Sequence, residues 1–157
     1  MKRENVTPFL EEIKKSLPNV TVMEQEEERL IYAHGCYPKE YKWILQGQYK
    51  KLPSAVLMAN STEEVSEILR LSQQYEVGII PYGGGSGIVG GSIPDREEVM
   101  LDIKRLRDFT INEKNGTAVG GAGLTGADFE NMLNEAGYTC GQYPQSFQSA
   151  VLGGMVS

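Results

Sequence analysis

Hydrophobic residues recur along this chain with two different periods. Phe9, Leu10, Ile13 and Leu17 fall at helical spacing, and Thr7-Pro8 reads as a cap followed by a proline suited to the first helical position. Pro18 ends that helix. A second helical stretch is expected from about Glu24 to Ala33, with glutamates in its first turn, where negative charge suits the helix dipole. The run EQEEER reads as its solvated face. PKEYKWILQGQYKKLP predicts a short packed helix ending near Gly47, with lysines that snorkel to solvent.

Beyond Pro53 the period shortens. Ala55-Val56-Leu57-Met58 predicts a buried strand. Ser61 and Glu64 stand at capping-box spacing and open a helix whose apolar face is Val65, Ile68, Leu69 and Leu71. Gly78 follows it, and Val77 to Pro81 predicts a second buried strand. Together these form a β-α-β unit, a parallel pair with a right-handed crossover. Val99 to Ile103 predicts a third strand. Phe109 to Glu113 alternates, Asn115-Gly116 signals a hairpin turn, and Thr117 to Val119 returns. Thr125 caps a helix carrying Phe129, Met132 and Leu133, with Asp128 three residues after the cap, and Gly137 stops it. No internal repeat or low-complexity linker is visible.

Composition narrows the function. With 157 residues, 40% hydrophobic and 23% charged, the chain is long enough for a core and not of disordered type. Its net charge of -6 and lack of a basic cluster argue against nucleic acid, whose backbone is held by Lys and Arg. No apolar run approaches the ~20 residues that span a bilayer. The N-terminus has a basic start but neither the apolar segment nor the cleavage site of a signal peptide. Cys36 and Cys140 are far apart and in no CxxC, so they read as reduced structural thiols of a cytoplasmic protein. His34 is the single histidine, which leaves little material for a metal site, and it lies in a predicted N-terminal helical region far in sequence from the glycine-rich stretch at 83–91, which makes it a weak choice of base.

The chemistry concentrates in IPYGGGSGIVGGSIP, where six of the nine positions from Gly83 to Gly91 are glycine. Three phosphate-linked readings compete. A Walker-type loop needs a lysine, and none lies between Gly78 and Arg96. Gly85 to Gly90 matches GxGxxG, the NAD-binding Rossmann fingerprint, but that motif must open a helix, and Gly91 and Pro94 leave no room for one. The third is a nest of backbone N–H groups from Gly83 to Gly87, with the Ser86 hydroxyl added, holding a diphosphate without a charged side chain. A tight glycine-rich turn without a ligand is the plain alternative.

Pro81-Tyr82-Gly83-Gly84-Gly85-Ser86-Gly87 resembles the pyrophosphate loop of FAD-linked oxidases of the vanillyl-alcohol oxidase / p-cresol methylhydroxylase superfamily. Ser61 to Val65 resembles the family's first helix opening, and Leu101-Asp102-Ile103-Lys104-Arg105-Leu106 its strand after the loop. Asn115-Gly116-Thr117 with Gly121 to Thr125 resembles its hairpin and next helix. Pro144-Gln145-Ser146 with Leu152-Gly153-Gly154-Met155 resembles its second FAD-contacting segment. Ala33-His34-Gly35, the stretch from Tyr41 to Leu57, and AGLTGADFENMLNEAGYTCGQYPQSF are most similar to the alkyldihydroxyacetonephosphate synthase branch.

The resemblance implies an α+β fold of p-cresol methylhydroxylase type: a small parallel β-α-β part, the start of a second, mainly antiparallel sheet, and helices before them. It implies an N-terminal helical segment over 1–50 and an FAD-binding domain over 51–157, incomplete at its C-terminus because the chain stops at Val156-Ser157. It implies FAD contacts from Pro81, Tyr82, Gly83, Gly84, Gly85, Ser86, Gly87, Gln145, Ser146, Gly153 and Gly154. Some members attach FAD through a histidine where Ser86 stands, so non-covalent FAD is expected. Gln145 and Val151 stand where relatives carry aspartate and threonine. The implied activity is oxidation of a small-molecule substrate, or the branch's exchange of an acyl for an alkyl group without net redox change. No catalytic residue is assigned within the chain, and oligomeric state is left open. A stand-alone non-catalytic domain is the competing class.

Overall fold

In the computed structural model, residues 3–47 and 52–157 are described. A 3-10 turn, Arg3–Asn5, leads into α1, Val6–Ser16. The helix starts ahead of Thr7-Pro8, which fall within its first turn, where a proline costs no hydrogen bond. Phe9, Leu10 and Ile13 are buried as their spacing predicts. After Pro18 the chain forms a strand, β1, Thr21–Met23, which the sequence pattern does not show. The expected helix over 24–33 divides into α2, Glu26–Leu30, and a 3-10 turn, Ile31–Ala33.

The helix expected near Gly47 is α3, Pro38–Leu45. Of its apolar residues Tyr41, Ile44 and Leu45 are exposed and Trp43 is half-buried edge-on to Tyr37, while the side chain it buries fully is Glu40. The carboxylate of Glu40 accepts the N–H groups of Gly35 at 3.0 Å and Tyr37 at 3.2 Å, which is why a charged residue goes inside. The expected boundary between 50 and 51 lies outside the described residues.

The main sheet contains β1, β2 (Val56–Met58), β3 (Ile79–Tyr82) and β4 (Val99–Asp102), in the order β1-β2-β4-β3. β4 runs parallel to both neighbours, and β1 adds antiparallel to β2 at the edge. The predicted parallel pair of β2 and β3 is therefore split, because β4 inserts between them. Helix α4, Thr62–Gln74, connects β2 to β3. Ser61 caps it by accepting the Glu64 N–H at 3.2 Å, while the Glu64 carboxylate takes the Asn60 N–H at 2.7 Å. Its apolar face is Val65, Ile68 and Leu71; Leu69 points to solvent.

Period-2 alternation assigns the two faces of the sheet. Leu57, Val99 and Leu101 pack with Phe9 and Ile13 of α1 and Ile68 and Leu71 of α4. Val56, Met100 and Tyr82 pack with Tyr32 on the opposite face. β4 is buried on both sides, as expected for a central parallel strand.

The second unit begins with a hairpin, β5 (Phe109–Asn112) and β6 (Thr117–Gly120), closed by four residues with Gly116 at φ +61°. Helix α5, Gly126–Glu135, follows its Thr125 cap, whose hydroxyl accepts the Asp128 N–H at 3.0 Å. Gly137 takes φ +80° just beyond the helix end. Segment 121–126 joins the two units. Gly121 and Gly123 donate to the carbonyls of Asp108 and Leu106, and Leu124 accepts from Leu152. The short helix α6, Leu152–Val156, closes the described fold. No helix among the described residues is long and apolar enough to cross a membrane.

Candidate FAD-binding site

The parallel strands β3 and β4 end together at Tyr82 and Asp102, which are register partners. The chain from Gly83 to Glu98 contains no helix, so the GxGxxG match lacks the helix that a Rossmann site requires. Instead Gly83, Gly84, Gly85, Gly87 and Gly91 line a cavity of about 610 Å³ between the strand ends and residues 144–157. Open α/β sheets commonly bind ligands beyond the carboxyl ends of their strands. The size is within the range usual for small-molecule and cofactor sites.

Of the residues the sequence singles out, Pro81, Tyr82, Gly83, Gly84, Gly85, Ser86, Gly87, Ser146, Gly153 and Gly154 all border this cavity. Gln145 is exposed and does not border it. The glycines serve two separate needs. Gly85 requires a left-handed backbone, φ +65°. Gly83 and Gly84 have no such angle; they make room for another segment. A Cβ on Gly83 would overlap the Val151 side chain, and one on Gly84 would overlap the Ser149 carbonyl oxygen. Loop and second segment thus touch backbone to backbone.

Among the described residues, no protein acceptor takes the backbone N–H groups of Gly83, Gly84, Gly85, Ser86 or Gly87. Each is a donor beside the cavity. Among the described residues no Asp, Glu, Lys or Arg lines it, although the chain carries a net charge of -6. A cradle of backbone donors without facing carboxylates suits a diphosphate. The donor set and the cavity size both fit FAD. Among the described residues no cysteine or histidine lines the cavity, and Ser86 stands in the loop itself, which fits a non-covalent cofactor.

Several lining residues were not assigned as FAD contacts from the sequence, among them Ile88, Val89, Ile103 and Ala150. Ile103 could have been found as the residue after a parallel strand. Ala150 could not, since its place depends on the return of the chain to Gly84. His34 is closer than its sequence distance suggests, because its carbonyl lies 3.5 Å from the Tyr82 hydroxyl.

A second polar centre fixes the approach of the later segment. Glu130 of α5 is buried and accepts from the Thr139 hydroxyl, from the Cys140 N–H at 2.9 Å and from the Tyr143 hydroxyl at 2.8 Å. These bonds, that from Thr139 foremost, hold its carboxyl below the usual glutamate value. They tie residues 139–143 to the helix just ahead of Pro144 and Ser146.

Comparison with known proteins agrees with this geometry. Residues 53–157 match the family described as FAD binding domain. The alkyldihydroxyacetonephosphate synthase of Caenorhabditis elegans is 30% identical over 162 residues, covering 100% of this chain and 26% of that protein. A solved alkyldihydroxyacetonephosphate synthase superposes with a TM-score of 0.87 at 30% identity, covering 94% of this chain and 28% of that one. p-Cresol methylhydroxylase with substrate bound shares the fold, with a TM-score of 0.80 at 17% identity over 99% of this chain and 30% of its own. The chain spans about a quarter of the length of the curated relatives it matches. With over half of its residues matched, the glycine loop and both cavity-forming segments among them, this chain belongs to the FAD-binding-domain family.

Proposed function

We propose that the whole protein is a flavin-dependent enzyme of alkyldihydroxyacetonephosphate synthase type, and that this chain holds its FAD non-covalently through the Gly83–Gly87 loop. The observation that carries the reading is the row of backbone N–H groups that find no acceptor among the described residues, in a loop that lines a cavity with no charged side chain among the described residues. When bound, FAD supplies the redox or electrophilic centre. The protein's part is to bind and orient it. In this reading Gly83 to Gly87 donate to the diphosphate, Ser86 adds its hydroxyl, and Ser146, Gly153 and Gly154 close the opposite wall. Gln145 reaches the cofactor only if its exposed side chain turns inward. Residues 51–157 form the FAD-binding domain, and the segment before them buttresses its sheet through α1 and β1.

Synthase-type chemistry is preferred to plain oxidation because the likeness to the synthases runs over the entire chain at 30% identity. The substrate is a small molecule that meets FAD at the open side of the cavity.

The test is a visible spectrum of purified protein after FAD addition and desalting, followed by acid precipitation. Retained flavin bands that pass into the acid supernatant are expected. Protein that keeps no flavin overturns the binding loop, and flavin that stays with the pellet overturns the non-covalent attachment.

A further inference from the structure

Behind the cavity wall lies a charged cluster that the glycine cradle does not use. Asp102, the last residue of β4, is fully buried. Its Oδ2 accepts from the Tyr32 hydroxyl at 2.7 Å and pairs with the Lys104 ammonium at 3.1 Å. Its Oδ1 accepts the Lys104 backbone N–H at 2.8 Å. The Lys104 Nζ lies 5.2 Å from the ring centroids of both Tyr32 and Tyr82. Those two rings meet edge to face, with centroids 5.0 Å apart.

Tyr82 carries this cluster to the cavity, which it lines. Its hydroxyl occupies the space where a Cβ of Gly85 would stand. Gly85 is the loop residue with the left-handed backbone, so Tyr82 packs against the bend of the cradle. The one hydrogen bond that the Tyr82 hydroxyl makes among the described residues is the 3.5 Å contact to the His34 carbonyl, long for an O–H donor. Ring contacts therefore hold Tyr82 in place. Burial, with the charge of Asp102, pushes its phenol above the ordinary tyrosine value and keeps it neutral.

We propose that Lys104 is a positioning residue for the FAD loop: anchored on buried Asp102, its ammonium fixes the Tyr82 ring, and Tyr82 fixes the bend at Gly85. The inference rests on the reading of Gly83 to Gly87 as the FAD loop. The physical basis is twofold. A buried carboxylate demands a cation, so Asp102 holds the ammonium in one place. An ammonium over an aromatic face attracts it, and here one ammonium faces two rings.

The experiment measures FAD dissociation constants by flavin fluorescence on FAD-stripped protein, alongside thermal midpoints of the stripped forms. Lys104→Met and Tyr82→Leu each weaken FAD binding about tenfold, the size of the contacts a half-exposed ammonium makes with two rings. Lys104→Arg stays within about threefold of the parent, because a guanidinium keeps both the ion pair and the ring contact. Tyr82→Phe keeps the ring but loses the hydroxyl that packs at Gly85, so it weakens FAD binding by less than Tyr82→Leu. The Lys104→Met/Tyr82→Leu double variant binds no more weakly than Tyr82→Leu alone, because both act through one path. A purely structural lysine gives the opposite pattern: Lys104→Met melts earlier but binds FAD as before, or the two losses add. Either result overturns the inference. If Lys104→Met does not fold, unchanged FAD affinity in Tyr82→Leu overturns it instead. Parent protein that binds no FAD overturns the loop reading itself, and this inference with it.

Discussion

Gly84 faces the carbonyl of Ser149 so closely that a methyl group would overlap its oxygen. The neighbour is backbone, so no side-chain rotation relieves the clash. Gly84→Ala therefore destabilises by about 1–3 kcal/mol, the usual cost of overpacking, and opens the wall between loop and second segment. Gly87 has no atom within 4 Å of an added Cβ and no left-handed angle. Gly87→Ala in the cofactor-free protein shifts stability by less than about 0.5 kcal/mol, as surface substitutions do. Denaturant melts of the two variants check the pair, and equal losses would refute the packing account. The glycine density of 83–91 is visible in the sequence, and so is the lack of a lysine. The reason for each glycine is not. Left-handed angles are a fair expectation for the whole run, but within 83–87 only Gly85 has one. Gly83 and Gly84 answer to Val151 and Ser149, contacts formed only when the chain returns from far along the sequence.

At the scale of elements, the helices that position the site are closed by short-range signals. Ser61 and Thr125 each accept the N–H three residues on, at 3.2 Å and 3.0 Å. Replacing either by alanine costs about 1 kcal/mol, as loss of an N-cap does. Thermal unfolding of Ser61→Ala and Thr125→Ala measures this, and unchanged midpoints would show that water caps the helices equally well. Caps of this kind are local and readable in advance. β1 is not, because three residues carry no period; Thr21–Met23 becomes a strand by pairing with the open edge of β2. α3 misleads in the other direction. Its aromatic and aliphatic residues suggest packing, yet a buried Glu40 serving the N–H groups of Gly35 and Tyr37 sets its orientation. Leu69 fits the apolar spacing of α4 and still lies outside, at 44% exposure, because α1 covers only the face of Ile68 and Leu71.

Across the whole molecule, Asp128 and Glu130 are among the carboxylates that shape the response to acid. The guanidinium of Arg107, 2.7 Å away, holds Asp128 below its ordinary value, with help from the Thr125 hydroxyl. Glu130 is held down by its three hydrogen bonds to residues 139–143. A depressed native value means that the unfolded chain binds protons first as pH falls. The stability these groups contribute is therefore complete above the ordinary carboxylate values of 4.5 for Glu130 and 3.8 for Asp128, and it is lost as pH drops through the lower native values. Glu130→Gln flattens the acid limb of a stability-against-pH curve between pH 6 and 2 (~4 units) relative to the parent. An unchanged limb would show that the tie to 139–143 contributes nothing.

By itself the sequence determined the alternating strands, the capped helices between them, the hairpin, and a lysine-free glycine loop in an acidic chain. Each of these rests on neighbours within a few residues, where period, cap and turn chemistry act. Tertiary structure alone decided that β4 enters between β2 and β3 and that Ser149 to Val151 close over Gly83 and Gly84. It also decided that the Lys104–Asp102 pair stands behind Tyr82. Those relations depend on which strand ends meet in space, and a chain read in one dimension does not contain that distance.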